Sequence, residues 1–254
     1  MALSRSVYTQ GTVTIGGTGV LAQSVSFTHD QPKESVTAYG FTSAARVASG
    51  PETSTMEITF FPTGGEAAMI NALAAQSRAQ APTVIDVRSN ICAISGAILT
   101  SVAGEGAVGA VPTVTVSFIG VNDSGNILPA ITASNAAITN IKTSADVTVN
   151  GTGCAQKASF NWSIPVQPII CLGNNIATSA EFFGNPPGTA SVSVEGTTSP
   201  GVTTTVDIGN FAINLNAGAS VSSSTASLAV GDLFGTFNTT TETVATACTF
   251  GANP

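Results

Sequence analysis

The order of its short motifs constrains this chain most, because the second half restates the first. Val13–Gly19 reads Val-Thr-Ile-Gly-Gly-Thr-Gly, and Val147–Gly153 reads Val-Thr-Val-Asn-Gly-Thr-Gly. Ala22–Phe27 (Ala-Gln-Ser-Val-Ser-Phe) then matches Ala155–Phe160 (Ala-Gln-Lys-Ala-Ser-Phe), and in that register Pro32 meets Pro165 and Gly40 meets Gly173. Gly50-Pro51 resembles Asn185-Pro186, Ile85-Asp86-Val87 through Ala93-Ile94 resembles Val206-Asp207-Ile208 through Ala212-Ile213, and Ser117–Gly120 resembles Cys248–Gly251. One match between Gly/Thr/Ser-rich stretches means little, but a collinear series is the signature of a repeated structural unit. The expectation is two tandem homologous domains over residues 1–120 and 147–254, joined by a linker at 121–146.

Each copy reads as β. Val25–Thr28, Thr55–Phe61, Thr113–Ile119, Ala190–Glu195, Thr203–Ile208 and Phe211–Leu215 alternate apolar with polar residues, are rich in Thr, Val, Ile and Phe, and are bounded by Gly, Pro and Asn. Short strands with frequent turns predict a β-sandwich or barrel in each copy. The first copy adds one helix over about 66–80, with Ala67, Ile70, Leu73 and Ala74 at helical spacing, a start at Thr63-Gly64-Gly65-Glu66 and a stop at Pro82. The second copy has only Gly196–Gly201 at that place.

Composition narrows the functional classes. Charged residues make up 8% of the 254, far below the roughly one quarter of an average soluble domain, so much of the surface is expected to lie against other subunits. With a net charge of -7 and seven basic residues, the chain is a poor nucleic-acid binder, whereas an acidic surface would let DNA slide past. The first residues read as no signal peptide and no apolar run reads as a membrane helix, so folding in a cytoplasm is expected. No zinc is expected, because Cys92, Cys154, Cys171 and Cys248 show no Cys-x-x-Cys spacing. Cys154 and Cys171 face small apolar positions of the first copy and read as buried thiols, with a Cys154–Cys171 bridge across a hairpin as the alternative.

Catalytic and cofactor motifs dissolve on inspection. Gly17–Ala22 fits the loose dinucleotide pattern, but a strand rather than a helix follows, so a hairpin turn is expected. Gly104-Glu105-Gly106-Ala107-Val108-Gly109 fits the same pattern and reads as a loop between strands, with Ala217–Ser227 as its counterpart. Gly104, Glu105, Gly106, Gly109, Gly218 and Ser222 are therefore candidate assembly contacts, with plain solvent loops as the alternative. His29 and Asp30 sit side by side, yet face Trp162 and Ser163 in the repeat register, so no triad is expected. The acidic residues are scattered and form no calcium loop, and Asp86 and Asp207 stand at matching places. No catalytic, cofactor or metal residues are predicted.

Gly50–Pro62, a β segment leading into the helix, followed by more strands, resembles the tail tube proteins of long-tailed bacteriophages. That resemblance implies a structural virion protein rather than an enzyme. Its subunits form rings, rings stack into a tube, and neighbouring strands close a barrel around a lumen through which the genome passes without sequence-specific binding. A chain with two copies is similar to the members that use trimers to mimic a hexamer. Tape measure and tail terminator proteins are then the implied partners, with assembly in the host cytoplasm and no membrane contact. A capsid decoration protein or tandem β-sandwich adhesin is the alternative. A carbohydrate-binding module or glycan hydrolase fits less well, since one Trp and two Tyr provide few stacking platforms.

Overall fold

The computed structural model describes residues 13–37, 39, 45–48, 52–78, 85–89, 92–121, 126–127, 141–150, 155–172, 174, 177–182, 188–197, 201–216, 218–228 and 235–251. The first half contains β1 (Val13–Ile15), β2 (Thr18–Val20), β3 (Ala22–Asp30), β4 (Lys33–Val36), β5 (Ala45–Ala48), β6 (Thr53–Phe60), α1 (Glu66–Arg78), β7 (Ile85–Arg88), β8 (Cys92–Ala107), β9 (Thr113–Gly120) and β10 (Asn126–Ile127). The second contains β11 (Val147–Val149), β12 (Ala155–Ser163), β13 (Val166–Ile169), β14 (Ser179–Phe182), β15 (Thr189–Gly196), β16 (Thr205–Ile208), β17 (Ala212–Leu215), β18 (Ser220–Ser227), β19 (Thr236–Val244) and β20 (Cys248–Gly251). The chain is mainly β, arranged in several antiparallel sheets, with a single α-helix among the described residues.

Pairing follows the same order in both halves. β3 pairs with β6, β6 with β9 and β9 with β8, while β12 pairs with β15, β15 with β19 and β19 with β18. A second set of pairings runs β1–β7–β8–β10, through the start of the long β8, and β11–β16–β17–β20, and β4–β5 and β13–β14 are separate two-stranded sheets. Irregularities recur as well. The register shifts between Ala22 and Ser24 and between Ala155 and Lys157, then between Leu99 and Ser101 and between Val221 and Ser223. Within the latter two, Thr100 Oγ1 donates to the Ser117 carbonyl at 3.0 Å and Ser222 Oγ donates to the Thr240 carbonyl at 3.3 Å.

These ladders correct two of the expected matches. Ser117–Gly120 lies in β9, whose counterpart in the pairing order is β19, whereas Cys248–Gly251 is β20, which lies on β17 as β10 lies on β8. Asp86 and Asp207 do not correspond either. Thr14 faces Arg88 while Thr148 faces Asp207, so Asp207 takes the place of Arg88. The slip is two residues along the strand, which keeps the same face; Asp86 itself lies opposite a register shift whose extra residue is on β8, and pairs with Arg88 at 2.8 Å.

Local chemistry explains the element boundaries. Gly16 and Gly17 have φ of 55° and 83° between β1 and β2, a two-residue turn that requires positive φ at both positions. At the start of α1, the buried Glu66 carboxylate accepts from Thr63 N at 3.0 Å, Thr63 Oγ1 at 2.6 Å and Gly64 N at 3.0 Å. Glu66→Ala is therefore expected to destabilise the protein by about 1–2 kcal/mol, because it leaves those donors without their acceptor. Chemical denaturation measures this, and an unchanged midpoint would mean water replaces the carboxylate.

One large core joins the halves, beside a smaller cluster of Ile98, Val121 and Ala177. It contains Met56, Ile58, Phe60, Val114, Val116 and Phe118 from the first half and Phe160, Trp162, Val192, Phe211, Ile213 and Phe250 from the second. Phe211 stacks on Phe160 with centroids 5.9 Å apart and meets Phe60 edge-on at 6.3 Å. The helix of the first half lies on β20 of the second, where Asn71 Oδ1 accepts from Phe250 N at 3.0 Å.

Candidate assembly interface

The long strands form one continuous ladder in the order β3–β6–β9–β8–β12–β15–β19–β18. Its join is the antiparallel pairing of β8 with β12, from Lys157 opposite Ala107 to Ser163 opposite Ser101. Alternation gives this ladder two unlike faces. Inward positions bury Met56, Ile58 and Phe60 on β6, Val114, Val116 and Phe118 on β9, and Val192 and Val194 on β15. Outward positions carry Ser24, Ser26 and Thr28, then Thr55, Glu57 and Thr59, then Thr113, Thr115 and Ser117, and across the join Ser159, Asn161, Ser191, Ser193 and Glu195. Hydroxyls and amides bond along this face: Thr59 Oγ1 lies 3.0 Å from Thr115 Oγ1, and Ser193 Oγ donates to Asn238 Oδ1 at 3.1 Å. Its charges are acidic, with Asp30, Glu57, Glu105, Glu195 and Glu242 against Lys157 among the described residues of these strands.

Small residues make the join possible. A Cβ on Gly104 would come within 2.3 Å of the Phe160 ring, and one on Gly106 within 2.6 Å of Val147 Cγ2. The absent side chains let the aromatic ring and the valine close over β8. On the outward face Lys157 Nζ meets Glu105 Oε1 at 2.9 Å across the join. The hydrogen bond to Glu105 and then its charge raise the lysine pKa. Any stability from this pair is present below the ordinary lysine range and lost as pH rises through the raised pKa; both side chains are about half exposed, so the effect is small.

The outer edges of the ladder are open. Among the described residues β3 pairs only with β6 and β18 only with β19. Every residue of β18 is exposed, and on β3 only Ala22, Val25 and Phe27 are partly covered. Such edges usually carry lysine or proline to block unwanted pairing, and Ser220–Ser227 carries neither.

The structure redistributes the candidate contact residues. Gly104, Glu105 and Gly106 are not in a loop: they lie inside β8, paired on one side with β9 or at its end and on the other with β12. Glycine is a poor strand former, but here the facing Phe160 and Val147 require it. Gly109, with φ of 79°, occupies the turn that follows. Gly218 occupies a turn before β18, and Ser222 sits at its register shift. His29 Nδ1 lies 3.0 Å from Ser54 Oγ, but Ser54 is 2% exposed and packed beneath Gly120, out of reach of a substrate.

Cys171 is exposed, which corrects its reading as a buried thiol; it ends the β13 arm, where the side chain projects beyond the core. Cys154, and with it the proposed bridge, lies outside the described residues. Cys92 and Cys248 are buried, and burial pushes the Cys92 thiol up, partly offset by its hydrogen bond with Ser89. A thiol reagent is expected to modify Cys171 in the native protein while sparing Cys92 and Cys248 until unfolding, as read by peptide mass spectrometry. Rapid native labelling of Cys92 would contradict its placement.

Among the described residues no cluster of three or more His, Cys, Asp or Glu side chains is arranged to hold a metal ion, and no helix is long and apolar enough to cross a membrane. Comparison with family models gives no match, and comparison with curated proteins gives none.

Proposed function

We propose that this protein is a structural subunit that assembles with its own copies into rings, and that the rings stack into the tail tube of a bacteriophage particle. The observation that carries the reading is the β8–β12 join. Each half offers one strand set in the same pairing order, the join links them, and an equivalent strand stands open at each end. Read as an ancestral duplication, the chain has already made one of the contacts a ring needs and is poised to make the next. Closure removes the remaining edges, and a head-to-tail contact that closes gives a ring rather than a fibre.

Three chains supplying six repeats are the ring expected from the tail-tube resemblance. The outward face, rich in hydroxyls and carboxylates, suits the channel wall, since it gives DNA phosphates few cations to bind. Tape measure and terminator proteins are the partners such a tube requires, and the host cytoplasm is where it would assemble. Electron microscopy of the purified protein and of native particles tests this: stacked three-fold rings with a central channel are expected. Two-lobed monomers persisting at high concentration would overturn it in favour of a capsid decoration protein or adhesin.

A further inference from the structure

Resting on that self-assembly reading, we infer the partner strand and its register: β18 of one copy pairs antiparallel with β3 of a second copy, with Val25 opposite Leu228, Ser26 opposite Ser227 and Thr28 opposite Thr225. β12 stands to β15 as β3 stands to β6, with a register shift after the first pair in each. β8 stands to β9 as β18 stands to β19, again with a shift at the same place. Moving both strands of the β8–β12 join to their counterparts converts Ala158 opposite Gly106 into Val25 opposite Leu228. Phe160 opposite Gly104 becomes Phe27 opposite Ala226, and Trp162 opposite Val102 becomes His29 opposite Ser224.

Apolar side chains meet on one face of this pairing and hydroxyls on the other. Val25 meets Leu228, which is 72% exposed in the single chain, on the face that continues the core. Phe27 meets Ala226, one methyl larger than the Gly104 beneath Phe160, so its ring must turn aside from the position Phe160 takes at the internal join. Ser26 meets Ser227 and Thr28 meets Thr225 on the hydroxyl face. A slip of one residue would exchange the faces and set Val25 against Ser227; a slip of two would leave Leu228 opposite Phe27 and crowd the ring. The positions equivalent to Lys157 and Glu105 are Ser24 and Ser227, so the ion pair of the internal join has no counterpart between copies.

Cysteine pairs in the full chain, made in a Cys171→Ala background, test the register. Ser26→Cys with Ser227→Cys, and Thr28→Cys with Thr225→Cys, are expected to oxidise into covalent multimers on a non-reducing gel, at least about five-fold faster than the two-residue-slipped pair Ser26→Cys with Thr225→Cys. Mixing chains that carry one cysteine each is expected to stop at dimers, which establishes that the bond lies between copies. Equal or faster linking of the slipped pair would overturn the register. Rings in the microscope without cross-links in either in-register pair would overturn this pairing and leave the ring reading standing. Absence of both rings and cross-links would remove both.

Discussion

Replacing Trp162 by alanine is expected to lower the unfolding free energy by about 3–5 kcal/mol, the range for truncating a large, fully buried aromatic side chain. Trp162 is 0% exposed, meets Phe250 edge-on with centroids 5.8 Å apart, and donates from Nε1 to the Ala245 carbonyl at 3.1 Å. It stands between Val102 of the first half and Ala190 of the second, so the cavity would open at the join that holds the halves together. Trp162→Phe keeps most of the packing and loses the hydrogen bond, for a smaller loss of about 1–2 kcal/mol. Because the chain has one tryptophan, its fluorescence reports this place alone: blue-shifted emission when folded, moving to the red on denaturation. A loss below about 1 kcal/mol for the alanine variant would show that the surrounding core collapses into the space.

Gly188→Ala is expected to be the most damaging single-methyl addition. Gly188 has φ of 74°, and a Cβ there would lie 2.1 Å from the Ser163 carbonyl oxygen and 2.9 Å from Ile164 Cα. Both neighbours are backbone, so no side chain can rotate aside. The β12–β15 ladder would have to open at its Ser163–Thr189 end. Left-handed strain together with this overlap gives an expected loss of about 3 kcal/mol or more, read by thermal or urea denaturation. Gly17→Ala is the matched control, since its φ is also positive but a Cβ there meets nothing within 4 Å. A much smaller loss is expected for it, and equal losses would assign the effect to backbone conformation alone.

Much of this was legible in the residues because local chemistry decides it. The β1–β2 turn follows from Gly16-Gly17, the helix start from Thr63 and Glu66, and the central strands from their alternation. His29 and Trp162 stand at the same count from the register shifts of the β3–β6 and β12–β15 ladders. What the sequence hid is what depends on distant partners. Gly104-Glu105-Gly106 looks like a loop by propensity, and only Phe160 and Val147 explain why a strand needs glycine there. The mismatch of Asp86 with Asp207 is a slip of two residues, which leaves the apolar/polar alternation of a strand unchanged and so leaves no mark in the sequence. Asp207, 3% exposed on β16, carries no local mark of burial. The continuation of one sheet through β8 into β12 has no signature in either strand, since it is a property of their pairing.

The bond from Phe250 N to Asn71 Oδ1 spans 179 residues of chain, and it sets a timetable. At the usual pace of synthesis of about 5–20 residues per second, α1 leaves the ribosome roughly 10–35 s before the strand that covers it. Until then its apolar side lacks that covering strand, and the nascent chain is exposed to chaperones and to premature encounters with its own kind. Docking of β20 on α1 is thus a late, non-local event, and molecules that stall before it would keep that side of the helix uncovered.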